Sequence, residues 1–180
     1  TPHLDSLASQ GMVFSDAHSP SSVCTPTRYG ILTGRYAWRT WLKKSVIGGA
    51  SGPLINPARE TVASLLKKNG YTTAMIGKWH LGWHFHFHQD SVKLDPLYWG
   101  FTEGTKIDFS KGVKNGPDVN GFDYYYALAS SLDIPPYVYV ENGRVTNLDI
   151  EIKDGESGKR LWRRGPVAAD FDHQQVTPNF

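Results

Sequence analysis

Two short stretches gather side chains whose types and spacing suit chemistry. The first is Ser22-Val23-Cys24-Thr25-Pro26-Thr27-Arg28-Tyr29-Gly30-Ile31-Leu32-Thr33-Gly34-Arg35, and it holds the only cysteine of the 180 residues. Cys24 stands just ahead of an apolar run that predicts a helix start, with Pro26 and Arg28 close behind it. A reactive side chain, a helix N-terminus and a fixed positive charge would then coincide. Unpaired N–H groups and the positive end of the helix dipole suit an anionic ester. A lone cysteine is equally compatible with a small buried apolar residue. The second stretch is Gly77-Lys78-Trp79-His80-Leu81-Gly82, at the end of a predicted strand. Lys78 and His80 would face the same side of an extended chain. Lysine offers a point charge to an anion's oxygen, and histidine can donate or shuttle a proton. A surface lysine beside a half-buried histidine is the alternative.

Spacing removes several other chemistries. A protein-tyrosine-phosphatase loop wraps its anion with a longer run of amides than the three residues between Cys24 and Arg28, and it has a His before the Cys. A zinc site or a redox dithiol needs partner cysteines, which are absent. Gly48-Gly49-Ala50-Ser51-Gly52 lacks the following Lys-Ser/Thr of a nucleotide cradle and predicts a flexible connection. His84, His86 and His88 alternate with Phe85 and Phe87, so an extended strand would show three imidazoles on one face. That pattern could hold a transition metal. The favoured alternative is a substrate-pocket wall, with His84 near the substrate, plus solvated histidines.

The 19 basic and 17 acidic residues leave a net charge of +2, without basic runs, which argues against a nucleic-acid partner. No apolar stretch approaches the length of a membrane span. No signal-peptide pattern opens the chain, and one cysteine leaves the redox compartment open. Six Trp, nine Tyr and eight Phe offer flat faces for sugars, although a large core uses them as well.

The elements that must position these groups follow from periodicity. Thr1 predicts an N-cap, Pro2 the first helical position, Leu4, Leu7 and Ala8 an apolar stripe, and Gly11 a left-handed end. Residues 12–18 predict a strand leading to the Cys24 loop, and 43–57 a loop. Residues 56–70 predict a helix capped by Asn56, opened by Pro57, striped by Val62, Leu65 and Leu66, and stopped by Gly70. Residues 71–76 predict a strand. Residues 137–140 and 144–145 predict strands around a tight Asn142-Gly143 turn, and Asp154-Gly155 a further turn. Residues 163–180 predict no element. Alternating helices and strands indicate a layered α/β fold.

Taken together, Cys-x-Pro-x-Arg with Thr33-Gly34-Arg35, and Gly-Tyr-Thr-Thr-Ala-Met-Ile-Gly-Lys-Trp-His-Leu-Gly at 70–82, resemble the two signatures of the type I, formylglycine-dependent, arylsulfatase-like sulfatases. The opening Thr-Pro-His-Leu-Asp-Ser-Leu-Ala resembles the family's segment upstream of the cysteine. The resemblance covers essentially the whole chain and is strongest from Thr1 to Gly82. It implies an alkaline-phosphatase-like layered sheet with helices on both faces, of which residues 1–180 form an N-terminal part of the catalytic domain. Residues 121–131 resemble a strand and loop beyond the second signature. The implied activity is hydrolysis of sulfate esters, with a sulfated glycan favoured over other sulfated small molecules by the aromatics.

The resemblance also implies roles. A maturation enzyme oxidises Cys24 to formylglycine, whose hydrate attacks the ester sulfur and later expels sulfate. Arg28 would hold that group, Lys78 would bind a sulfate oxygen or assist the leaving alcohol, and His80 would contact the diol. A divalent cation, usually Ca2+, would have the Cys24 position among its ligands. An extracellular or periplasmic location is implied too. The family's Asp-Asp metal pair, later His, Asp-Asn pair and second Lys find no match here. The expectation is therefore an internal piece of a larger sulfatase, binding metal poorly and turning over little by itself. Two other readings stand beside it: a phosphonate or phosphate monoester hydrolase of the same superfamily, and a decayed sulfatase acting as a binding protein. Intact residues at both Cys24 and Lys78 speak against decay.

Overall fold

The computed structural model describes residues 1–88, 95–97, 99, 106–157 and 162–180. In chain order its helices are α1 (Pro2–Gln10), α2 (Cys24–Thr33), α3 (Val62–Lys68) and α4 (Val176–Asn179). Its strands are β1 (Ala74–Lys78), β2 (His84–Phe85), β3 (Val113–Lys114), β4 (Tyr124–Leu128), β5 (Tyr139–Glu141), β6 (Arg144–Val145), β7 (Ile150–Lys153) and β8 (Gly165–Ala168).

A four-stranded mixed sheet of order β1-β4-β5-β6 organises the molecule. Its β-branched and aromatic residues suit a pleated, half-buried surface. β1 runs parallel to β4, with Ala74 opposite Tyr124 and Lys78 opposite Leu128. A parallel pair needs a crossover, here the long segment between residues 78 and 124. β5 pairs antiparallel with both β4 and β6. Asn142 and Gly143 make the β5–β6 turn with φ of 44° and 86°, the left-handed geometry a two-residue hairpin requires. A two-stranded ladder β2-β3 falls in sequence between β1 and β4, and a second, β7-β8, follows β6.

The core lies where the segment after β1 meets β5 and the loop before α3. Trp79, Leu81 and Trp83 are buried in one cluster with Tyr137, Val138, Tyr139 and Val140, and with Leu42, Ile47 and Ile55. These large side chains fix the chain leaving β1, the stretch that carries Lys78 and His80.

Several expectations are corrected. Residues 12–18 form no strand, because no other strand lies beside them among the described residues. α1 forms as predicted, but none of its residues is buried, so Leu4 and Leu7 face outward. Gly11 has φ −126° and ψ −140° and is not left-handed. α3 starts at Val62, not near Asn56, because Thr61 and Ser64 make a reciprocal capping box. The side chain of Asn56 instead accepts from the Ala58 N–H at 2.9 Å, a turn outside the helix. Ala63 is the buried residue of α3, and Val62, Leu65 and Leu66 are exposed. The glycine-rich stretch at 48–52 is packed rather than a loose connection: Gly48, Gly49 and Ser51 are buried. A Cβ at Gly49 would stand 2.0 Å from the Pro135 carbonyl oxygen, so only glycine permits this approach. β8 and α4 form where no element was expected, and residues 154–155 form no defined turn.

Candidate active site

Cys24 is the first residue of α2 and is half-buried. Val23 precedes it in extended geometry, at φ −128° and ψ 161°, and no side chain caps the helix. The Cys24 and Thr25 N–H groups are among the orphan donors of a helix start, and Pro26 has none to lose. The other end of α2 closes as predicted. Gly34 is left-handed at φ 65°, and its N–H donates to the Gly30 carbonyl at 2.9 Å.

Arg28 lies one helical turn beyond Cys24, on the same face. Its Nη1 donates to the Lys78 carbonyl, which joins the first motif directly to the second. Arg28 Nε is buried without a partner among the described residues. Burial lowers the affinity of this guanidinium for its proton, and the neighbouring Cys24 opposes that shift. A guanidinium stays charged through such a change.

Thr25 makes the second link. It is fully buried, and its Oγ1 donates to the His80 carbonyl at 3.0 Å and accepts weakly from the Ile47 N–H at 3.4 Å. His80 is 0% exposed, with Nε2 2.8 Å from the Ile47 carbonyl and 2.9 Å from Ser130 Oγ. A carbonyl only accepts, so the ring proton sits on Nε2. Nδ1 then carries a buried lone pair with no partner among the described residues. Burial, the largest cause, pushes the His80 pKa down to about 4. The bond to Ile47 opposes this, whereas the charges of Lys78 and Arg28 reinforce it. At neutral pH His80 is an uncharged imidazole presenting one free acceptor.

The expected same-side geometry of Lys78 and His80 is replaced by something tighter. Lys78 ends β1, but His80 has φ 53°, a left-handed backbone that costs a non-glycine residue about 1–2 kcal/mol. The turn buries His80 fully and leaves Lys78 half-buried. The Lys78 ammonium makes no hydrogen bond or ion pair within the described residues, and its charge is felt at His80. The Trp79 and His80 N–H groups still bond the Leu128 and Ala129 carbonyls, at 2.9 and 3.2 Å, so the sheet holds the turn in place.

Cys24, Arg28, Lys78 and His80 are therefore brought together by α2 and the end of β1. His84 lies elsewhere. It is exposed on β2, opposite Lys114, with Nδ1 3.0 Å from the Asn115 side-chain nitrogen. It lines a groove of about 550 Å³ with Trp41, Asn56 and Asn115, which none of the other four residues lines. His86 is half-buried, and His88 is exposed, 4.0 Å from the Asp108 carboxylate. The described residues contain no group of three His, Cys, Asp or Glu able to hold a metal, neither at these histidines nor at Cys24. The described residues thus do not by themselves fit a calcium ion. No helix among the described residues is long and apolar enough to cross a membrane.

Thr25, Ile47 and Ser130 were not foreseen as site residues. Thr25 sits inside the first motif, where a buried threonine beside a reactive position was the available signal. Ile47 acts through its backbone, which leaves no mark in a side-chain pattern.

Comparison with known proteins places the chain, by sequence and fold, beside one group of relatives. The family model described as Sulfatase matches residues 1–150. Among curated relatives, an N-acetylgalactosamine-6-O-sulfatase of Bacteroides thetaiotaomicron is 39% identical over 149 residues, covering 83% of this chain and 25% of its own. Arylsulfatase G of Mus musculus is 36% identical over 135 residues, covering 74% and 20%. The chain thus spans about a quarter of the first relative's length. A solved structure from work on the metabolism of multiple glycosaminoglycans by Bacteroides thetaiotaomicron superposes with TM-score 0.71 at 27% identity, over 99% of this chain and 40% of the other. The fold is accordingly the alkaline-phosphatase-like one, and with the family model matching most of its length the chain belongs to the sulfatase family.

Proposed function

We propose that the protein hydrolyses sulfate esters carried by a glycan, using a formylglycine made from Cys24. The observation that carries this reading is the direct bonding of the two motifs: Arg28 to the Lys78 carbonyl and Thr25 to the His80 carbonyl. Two motifs some 50 residues apart in sequence form one unit around a helix N-terminus. The relatives named as N-acetylgalactosamine-6-O-sulfatase and arylsulfatase G support sulfate as the transferred group, and the first supports a sugar as its carrier.

The aldehyde obtained from Cys24 by a formylglycine-generating maturation enzyme would supply the nucleophile. The chain's own residues do the rest. Arg28 is immobilised against the Lys78 backbone and fixes positive charge one turn from residue 24, where negative charge develops on sulfate oxygens. Lys78 brings an ammonium without a partner among the described residues, suited to a sulfate oxygen or to the departing alkoxide. His80, held neutral, keeps Nδ1 as an acceptor for a hydroxyl at the site. His84 would bind the substrate away from the reacting atoms. A divalent cation such as Ca2+ would need ligands beyond the described residues, and no step is assigned to it. Activity is accordingly proposed for a chain that also contains those ligands, in a secreted or periplasmic setting.

Paired sulfate and phosphate monoesters of one alcohol, assayed with the full-length enzyme matured in its native host, test the reading. Preference for the sulfate ester by kcat/KM is expected. Preference for the phosphate ester would move the protein to the phosphohydrolase branch, and inactivity toward both would favour a binding protein.

A further inference from the structure

Building on the glycan sulfatase reading, we infer that the groove lined by Trp41, Asn56, His84 and Asn115 is a subsite for an uncharged sugar ring of that glycan. A pyranose presents an apolar C–H face and an edge of hydroxyls. The groove, about 550 Å³, has room for such a ring. Trp41 is 46% exposed and makes no ring contact with the described aromatics, so its face is available for stacking.

The polar edge is prearranged. The Asn115 side-chain nitrogen donates to His84 Nδ1 at 3.0 Å, which places the imidazole proton on Nε2 as a donor. Gly52 lines the groove next to that nitrogen, and a Cβ there would lie 3.4 Å from Nε2. Asn56 uses its oxygen on the Ala58 N–H and keeps its NH2 group as a donor. Asn115 keeps its side-chain oxygen as an acceptor. Donors and acceptors in this mixture match hydroxyls, which do both.

Charge selects against the alternative occupants. None of the described lining residues is an Asp, Glu, Lys or Arg, so the described lining offers no counter-ion to a sulfate or carboxylate. The anion belongs at Arg28 and Lys78, and the neutral ring here. One loop ties both places together. Ile47 accepts from His80, while the Ser51 carbonyl and the Leu54 N–H bond Trp83 and Leu81 at 3.2 and 2.8 Å.

The test uses the full-length protein with methyl β-galactoside, methyl N-acetyl-β-galactosaminide and lactose as probes, and inorganic sulfate as a separate probe. In heteronuclear NMR the sugars should shift the Trp41 indole and His84 ring signals, and sulfate should not. Trp41→Ala and Asn115→Leu should each weaken sugar binding about tenfold, with Trp41→Phe retaining most of it. Absence of shifts at Trp41 and His84, or an unchanged Kd in Trp41→Ala, would overturn the subsite. Sulfate shifting the groove signals would also overturn it, by making the groove an anion site. Ester turnover is scored independently: sugar binding without sulfatase activity sustains the subsite and sinks the hydrolase reading, and the converse does the reverse.

Discussion

His80 makes stability depend on pH in a way that can be worked out in advance. Its ordinary pKa of 6.5 falls to about 4 in the fold, chiefly through burial. The unfolded chain therefore binds the proton more readily than the folded one between these values. Stability is undiminished above pH 6.5 and is lost as pH falls toward 4, where the loss levels off. The full shift corresponds to about 3 kcal/mol. Linkage then gives a loss of about 1 kcal/mol at pH 5.5 and about 2–3 kcal/mol at pH 4.5, relative to pH 8. Carboxylates such as Asp123, held down to about 2 by Lys67 and Thr73, add their own loss at lower pH. The informative quantity is thus the difference between the protein and His80→Gln, which cannot titrate at this position. Urea unfolding of both at pH 8, 5.5 and 4.5 measures it, and NMR titration of the His80 ring reports the folded pKa directly. Parallel pH profiles for the two proteins, or a folded pKa at or above 6, would refute the reasoning that a buried, neutral imidazole locks the turn after β1.

Further outcomes follow from the same contacts. Thr25→Val keeps the side-chain shape but strands the His80 carbonyl and the Ile47 N–H, and should cost about 1–3 kcal/mol. Thr25→Ser keeps the hydroxyl and loses one methyl, about 0.8 kcal/mol, so denaturation midpoints should rank serine above valine; the opposite order removes the hydroxyl from the account. Gly49→Ala forces a Cβ against the Pro135 backbone and should cost at least about 1–3 kcal/mol, seen as a lowered Tm; an unchanged Tm would show that the loop can shift.

Much of the site was legible in the sequence because its key residues are chemically explicit and closely spaced. Cys24 and Arg28 lie one turn apart, and Asn142-Gly143 announced its hairpin by turn chemistry alone. Other features were misread for identifiable reasons. Apolar periodicity in α1 and α3 predicts a stripe without saying what covers it, and here Leu4, Leu7 and Leu65 face outward. Asn56-Pro57 and Thr61-x-x-Ser64 both fit a helix start, and the reciprocal capping box prevailed over the proline. Glycine richness at 48–52 suggests a loose link, yet glycine also serves close packing, which only the approach of residue 135 reveals. His80 was placed beside Lys78 by strand alternation, and its positive φ overrides that pattern.

Everything proposed for the site turns on the chemical state of residue 24. Mass spectrometry of the tryptic peptide Thr1–Arg28, or its longer natural counterpart, from protein made in its native host tests this most directly. The expected peptide has oxygen in place of the Cys24 sulfur and two hydrogens fewer, and an aldehyde-trapping hydrazide captures it. A peptide carrying an unmodified thiol throughout would contradict the proposed nucleophile and shift weight to a binding role for the same residues.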